Sequence, residues 1–434
     1  MVHKWPNSQT GIYRVVKNLA TALNKSGRCS LAFSAFEGDW YDYAWKHLES
    51  ASSFEGARLP HSRVHQELFD QFLKANRRAE DASGLSKLGW RAARKTLSHA
   101  TKLFRSRAAL EESLKNADIF HSPYFSIPNQ ARGRRHLSTF QTVHDLIAVL
   151  HPEYFDNSWS HFKSIVDSIR ADDWIICVSQ RTKEDLCSYR KDIDPRRVFV
   201  THLGASDWFY PCRDAAKMEA VRLKYKIQAG RYVLSLCTFE PRKNLAHLIR
   251  CFSRMVQQEP LTDLRLVLAG SLGWKYESIF EELTGKDESI RSRIIITGRV
   301  ADEDMAALYS GAIAFVYPSL YEGFGLPPLE AMKCGTPVIV SNTSSLPEVV
   351  GNAGLMVDPQ DADALCQAML RVVMDGELRE AMSQKSLKQA GKFSWEQCAS
   401  KTLAAYETAI GLQNRSGFHG EKDAPRPLMT TFAG

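Results

Sequence analysis

No part of this sequence stays apolar for long. The longest apolar runs, Leu264–Gly270 and Ala312–Pro318, fall far short of the roughly 20 residues that a spanning helix needs. No charged N-terminal region leads into an apolar core, so no signal peptide is expected. The nine cysteines are scattered with no C-x-x-C pair, which excludes a disulfide scaffold and reads as buried thiols of a reducing compartment. No His, Cys or carboxylate cluster has metal-ligand spacing. A G-x-S-x-G elbow, a Walker A loop and a G-x-G-x-x-G are all missing; Gly323-Phe324-Gly325 lacks the third glycine.

What is there is ordinary in bulk. The 434 residues are 44% hydrophobic and 24% charged, which suits a globular chain of two or three domains. The net charge of +7 is unevenly placed: Lys74 to Arg107 alone carries ten basic and two acidic residues. The basic balance therefore does not point to nucleic acid as a partner. Within that segment Trp90, Ala93, Leu97, Ala100 and Phe104 recur three and four apart, on one helical face. Arg91, Arg94, Lys95, Lys102 and Arg105 flank them. Such a helix either packs on its own domain with a solvated basic side or lies on an anionic membrane surface.

The second half alternates short Val/Ile/Leu-rich strands (Tyr232–Phe239, Leu264–Ala269, Ile294–Thr297, Ile313–Tyr317, Val338–Val340) with helical stretches (Leu245–Gln257, Ser278–Leu283, Asp302–Tyr309, Leu329–Lys333). This is the α/β pattern of a doubly wound parallel sheet. The first half is similar but less regular: a helix over Gly11–Leu23, then strands over Leu31–Phe36, Ile119–His121, Ser138–His144, Trp174–Val178 and Val198–Thr201. The expected organisation is one domain over 1–208, a second over 213–394, a helix over 395–412 and a disordered tail over 415–434. Ligands bind outside the carboxyl ends of strands in such sheets.

The strand ends carry chemistry. Tyr232–Phe239 leads into Glu240-Pro241-Arg242-Lys243-Asn244. Arg242 can grip a diphosphate bidentately and Lys243 adds a point charge; a solvated helix start is the alternative. Ile313–Tyr317 leads into Glu322-Gly323-Phe324-Gly325-Leu326-Pro327-Pro328-Leu329-Glu330. Its glycines admit close backbone approach, its prolines fit a first helical turn, and the turn offers N–H groups to an anion. Glu330 could hold a vicinal diol such as a ribose, or cap the helix. Ser138–His144 ends in His144-Asp145; a histidine there is a catalyst or a structural hydrogen bonder.

Together these residues resemble the retaining glycosyltransferases of family 4, which have the GT-B fold: two doubly wound Rossmann-like domains facing across a cleft. The resemblance runs from about Thr10 to Ile410. It rests on Glu240-Pro-Arg-Lys-Asn244, Ala269-Gly270, Ile296-Thr-Gly298-Arg299-Val300, Glu322-x7-Glu330, Cys334-Gly-Thr-Pro-Val338, Ser345-Leu-Pro-Glu348 and Gly354-Leu-Met-Val-Asp358. Thr10-Gly-Ile-Tyr-Arg14 and Val143-His-Asp-Leu146 look like the subgroup of bacterial mannosyltransferases that build surface polysaccharides, lipopolysaccharide among them. The resemblance implies a catalytic set of His144, Glu322, Arg242 and Lys243. It implies donor contacts from Gly11, Gly298, Arg299, Val300, Gly323, Phe324, Gly325, Leu326 and Glu330. In this assignment Arg242 and Lys243 hold the diphosphate, Glu330 the ribose, and Gly298-Arg299-Val300 the base. His144 approaches the sugar, and the helix over 395–412 crosses back to the first domain. No metal or other cofactor is expected. The substrates are a nucleotide sugar, with GDP-mannose the leading donor, and a glycan or lipid-linked glycan acceptor. The expected location is the cytoplasm, including the inner membrane face through residues 74–107.

One departure stands out. The family opens with a buried apolar strand before the Gly11 loop, and Met1–Thr10 is no such strand, so either the start is truncated or mis-set, or the first sheet lacks a central strand. A GT-B nucleotide-sugar epimerase and a non-catalytic nucleotide-sugar binder or scaffold are the alternatives.

Overall fold

In a computed structural model, the residues described are 11–34, 67–68, 70–72, 74–75, 78–79, 82–103, 114–155, 160–415 and 428–433. They contain strands β1 (Cys29–Ser34), β2 (Ile119–Ser122), β3 (Ser138–Val143), β4 (Trp174–Cys177), β5 (Val198–Val200), β6 (Tyr232–Leu236), β7 (Arg265–Ala269), β8 (Ile294–Gly298), β9 (Ala314–Tyr317), β10 (Val338–Ser341), β11 (Leu355–Val357) and β12 (Leu428–Ala433). They form two six-stranded sheets, in the orders β1-β12-β2-β3-β4-β5 and β11-β10-β9-β6-β7-β8.

In the second sheet every pairing is parallel. β2, β6, β7, β9 and β10 are almost entirely buried, as strands covered on both faces must be. The helix Leu245–Gln258 buries Leu245, Leu248, Ile249, Phe252 and Met255, the three-and-four spacing of a core-facing stripe. The chain leaves β6 toward β7 on one side. It returns to β9 on the other, so the strand order reverses between two neighbours. Loops diverge there at the carboxyl ends, leaving a crevice.

The first sheet differs from expectation in one respect. The tail over 415–434, expected to be disordered, supplies β12, which pairs in parallel with β1 on one side and β2 on the other. Thr430 stands opposite both Leu31 and Ile119. The strand expected to be missing thus has its place filled from the far end of the chain: with β12 counted first, the order reads 2-1-3-4-5-6. The tail as a whole has no periodicity, which hid the strand. Two open edges supply the backbone partners that local pattern does not advertise. Residues 416–427, Met1–Thr10, Phe36, Phe104, Arg105 and Arg107 lie outside the described residues.

The chain groups into two compact units. One holds residues up to Thr142, Ser168–Ile176 and Ala399 onward; the other holds Val143–Asp167 and Cys177–Cys398. The helix Trp395–Arg415 begins in the second unit and continues in the first. In the first unit its Tyr406 is fully buried and its hydroxyl lies 2.6 Å from His121 Nδ1, whose Nε2 is 2.7 Å from Thr142 Oγ1. The basic segment contains the helix Gly84–Leu103. Trp90, Ala93, Leu97 and Ala100 are half-buried on it, while Arg91 and Lys95 are exposed. Arg78 lies 4.9 Å over the Trp90 ring.

Candidate active site

The switch point of the second sheet brings the two expected motifs together. After β6, Pro241–Lys243 forms a 3-10 turn and Asn244 takes a left-handed conformation, φ 58°. After β9, the chain passes through Ser319–Gly325 into the helix Leu326–Lys333. The Leu320 N–H donates to the Arg242 carbonyl at 2.8 Å, tying one loop to the other.

Between them lies a buried four-charge cluster. Lys243 Nζ donates to Glu322 Oε1 at 2.5 Å and to the Tyr317 hydroxyl at 2.7 Å. Arg242 Nη1 reaches the same Glu322 oxygen at 2.9 Å, and Nη2 donates to Glu240 Oε1 at 2.5 Å. Ser319 Oγ donates to Glu322 Oε1 at 2.6 Å. Buried charges survive only when paired and hydrogen-bonded, and here two cations match two carboxylates.

The environment divides the acids. Burial works to raise the Glu322 carboxyl, but the charges of Arg242 and Lys243 outweigh it and hold the group down at about 2. At Glu240 burial wins over the same two cations, and its carboxyl is raised. Burial works against the Arg242 charge too, but Glu322 and Glu240 overcome it and raise the guanidinium further. Glu240 Oε2 and Arg242 Nε are buried with no hydrogen-bond partner among the described residues. An orphaned N–H on a fixed guanidinium is what an arriving anion would use.

The two glycines serve different needs. Gly325 sits at φ 109°, which side chains rarely adopt. Gly323 is needed for close approach, but to protein: a Cβ there would stand 2.1 Å from the His144 carbonyl oxygen and 2.8 Å from Asp145 Cβ. Thr182 Oγ1 bridges both, 3.2 Å from the Gly323 carbonyl and 3.5 Å from that of His144. His144 therefore stands beside the Gly323 loop in the same unit.

The N–H supply is smaller than expected. Pro327 and Pro328 carry none, Leu329 bonds back to Gly325, and the Glu322 N–H goes to Ser344 Oγ at 2.8 Å. Of the first four helical residues only Leu326 keeps an N–H that the helix does not use. Glu330 lies in the second helical turn, buried, and accepts from the Tyr309 hydroxyl at 3.2 Å. Gly298 ends β8 at φ 68° and its carbonyl accepts from Gly270; Arg299 is exposed and Val300 buried. Gly11, at the start of the helix Gly11–Lys25, belongs to the first unit and is not part of this grouping.

Residues 10–207 match the model of Glycosyltransferase Family 4, and residues 219–389 that of Glycosyl transferases group 1. The O-antigen chain mannosyltransferase B of Escherichia coli is 38% identical over 296 residues, 67% of this chain and 74% of the relative. The chain is a family 4 glycosyltransferase.

The serotype-specific mannosyltransferase WbdA of Escherichia coli is 31% identical over 272 residues, which is 62% of this glycosyltransferase and 33% of that longer relative. Among solved structures, Anabaena HepE in complex with UDP and glucose shares the fold (TM-score 0.62, 14% identity, 92% of this chain and 97% of that one). The fold is GT-B, with two Rossmann-like parallel sheets.

Sequence reasoning about this glycosyltransferase missed several supports of the site. Ser345 Oγ lies within hydrogen-bond distance of the carbonyls of Glu322 (3.0 Å) and Phe324 (2.8 Å) and braces the loop. Tyr321 accepts from Arg242 Nη1 on its carbonyl at 2.6 Å and donates from its hydroxyl to Asp185. Glu348 accepts from the Gln180 N–H at 2.8 Å and pairs with His202 Nε2 at 2.5 Å. Ser345 and Glu348 carried a motif signal, as the two ends of Ser345-Leu-Pro-Glu348, but no sign of these contacts; Tyr321 and Asp185 are single residues without periodicity or spacing.

Proposed function

We propose that this enzyme transfers a hexose from a nucleotide sugar to a glycan or lipid-linked glycan acceptor in surface polysaccharide synthesis, with retention at the anomeric carbon and with GDP-mannose as donor. The observation that carries the reading is the buried Arg242–Lys243–Glu322–Glu240 cluster at the β6/β9 switch point, with its orphaned Arg242 Nε. The mannosyltransferase names of both Escherichia coli relatives support the choice of sugar.

Glycosyl transfer builds positive charge on the anomeric carbon and negative charge on the departing diphosphate. In this reading Arg242 and Lys243 stabilise the diphosphate as it leaves, because they are already oriented and desolvated. Glu330 binds the ribose hydroxyls, Gly298, Arg299 and Val300 line the base, and His144 reaches the sugar. The Gly323–Leu326 backbone completes the donor contacts from this unit. Glu322 receives three donors on Oε1, so it serves as an ionised anchor that orients the cations and the sugar. A carboxylate so committed makes a poor nucleophile. The acceptor therefore attacks from the face the leaving group departs from, and the leaving phosphate oxygen takes its proton. The diphosphate's charge is assigned to these two side chains rather than to a metal.

No helix among the described residues is long and apolar enough to cross a membrane. The amphipathic helix Gly84–Leu103 supports a peripheral contact with an anionic inner membrane face, where a lipid-linked acceptor would sit.

The test is to incubate the enzyme with GDP-mannose and a lipid-linked oligosaccharide. A mass gain of one hexose, with the equatorial anomeric proton of an α-linked mannoside, supports the reading. Donor binding without transfer to any glycan would refute it.

A further inference from the structure

Three consecutive backbone carbonyls on one turn are held by two adjacent side chains. Trp274 Nε1 donates to the Tyr154 carbonyl at 2.6 Å. Lys275 Nζ donates to the carbonyls of Glu153 at 3.0 Å and Phe155 at 2.7 Å. The Trp274 and Phe155 rings stack, with centroids 5.5 Å apart. All these residues lie in the second unit.

The grip is built on the segment between β6 and the two cations. The Phe239 N–H donates to the Ser271 carbonyl, and the Gly273 N–H donates back to the Phe239 carbonyl, immediately before Glu240. A Cβ on Gly273 would lie 2.8 Å from that carbonyl oxygen, so the loop sits flush on the strand. Lys275 then takes φ 50°, a left-handed conformation that a lysine adopts only where the surroundings impose it. What it gains is the reach of Nζ to two carbonyls that would otherwise lack these partners.

The turn so held is the far end of a short segment that begins at His144. Asp145 Oδ1 accepts from the Ile147 N–H at 2.9 Å and starts the helix Ile147–Leu150, and the Pro152–Tyr154 turn follows directly. At the near end Gly323 abuts the His144 carbonyl. Midway, the His151 ring lies 4.8 Å from that of Tyr321, whose carbonyl binds Arg242. The segment 144–155 is thus fastened to the Ser319–Gly325 loop at its near end and middle, and to the loop after β7 at its far end.

We propose that Trp274 and Lys275 are positioning residues for the transfer step. By clamping the turn 153–155 onto the loop after β7, they fix where His144 stands relative to Arg242 and Lys243. The inference rests on the glycosyl transfer reading above. It adds that donor binding and productive alignment are separable, because neither residue belongs to the charge cluster. Sub-ångström alignment governs turnover far more than binding.

The experiment compares wild type with Trp274→Phe/Lys275→Met, which keeps the ring stack and the aliphatic stem but removes both donor groups and their three hydrogen bonds. Trp274→Phe and Lys275→Arg are made singly, the latter to restore donors to the carbonyls. GDP affinity, transfer kcat and the ratio of donor hydrolysis to transfer are measured in each. Expected are a GDP Kd within twofold of wild type, a transfer kcat at least tenfold lower in the double variant, a raised hydrolysis ratio, and partial recovery in Lys275→Arg. Unchanged kcat and ratio would overturn the inference. So would a parallel loss of GDP binding and melting temperature, which marks a merely structural role; Trp274→Phe alone repeats the comparison if the double variant does not fold. A wild-type enzyme that transfers no sugar from any nucleotide donor would instead refute the reading beneath it, and that result is visible before any variant is made.

Discussion

The Gly323 backbone lies against the His144 carbonyl so closely that a Cβ on Gly323 would stand 2.1 Å from that oxygen. A donor-loop residue and the candidate catalytic histidine are therefore in main-chain contact. Gly323→Ala must push the two apart, since neither neighbour is the flexible end of a side chain. The expected outcome is a destabilisation of about 1–3 kcal/mol and a loss of transfer larger than the loss in stability accounts for. Thermal melting and kcat, measured together, check it.

Glu322 links folding to pH. Its carboxyl is held at about 2, below the unfolded value of about 4.3. Its contribution to stability is therefore fully present above the unfolded value and is lost as pH falls toward about 2. Glu240, whose carboxyl is raised, contributes with the opposite sign: its share is present at low pH and lost as pH rises through its folded value. Glu322→Gln leaves two buried cations underpaired and should cost roughly 3–5 kcal/mol. It should also flatten the acid limb of the stability profile. Urea titrations between pH 3 and pH 7 read both effects.

β12 stands between β1 and β2, with backbone partners on both sides. Ending the chain after residue 415 should open two strand edges in the middle of the first sheet. The expected result is a large fall in melting temperature and concentration-dependent association, followed by light scattering and calorimetry. A synthetic peptide of residues 426–434 added to the shortened chain should restore part of the loss. Unchanged melting would mean that the sheet does not depend on this strand.

Much of this was legible in advance. The buried parallel strands of the second sheet announce themselves as short Val/Ile/Leu runs, and β6, β7, β9 and β10 fall within two or three residues of where those runs end. Arg242, Lys243 and Glu322 could be placed at the carboxyl ends of the strands because strand-end position follows from the βαβ pattern. Their mutual pairing could not, because it depends on how two loops fold over each other. β12 was invisible for a related reason: what makes it a strand is the slot it fills, not its own sequence. Trp274 and Lys275 were unremarkable in sequence, because their partners are backbone carbonyls, which carry no residue signature.

Surface charge gives a separable prediction. Replacing Arg91, Arg94 and Lys95 by glutamine should weaken binding to phosphatidylserine-containing vesicles at low salt, by about 1 kcal/mol per charge in contact with the surface. Transfer to a water-soluble acceptor should stay unchanged. Vesicle co-sedimentation across a salt series checks this. Binding that is insensitive to the substitutions would place the membrane contact elsewhere or nowhere.

The most direct test of the central claim is nucleotide recognition by the charge cluster. Melting of the wild-type enzyme is followed with GDP, UDP, dTDP and ADP, beside Arg242→Ala/Lys243→Ala. A ligand at about 100 times its Kd stabilises by roughly 2.7 kcal/mol. Such a shift is expected with GDP, smaller shifts with the other nucleotides, and none in the variant. A GDP shift that persists undiminished in the variant, with cooperative melting in both proteins, would contradict the claim.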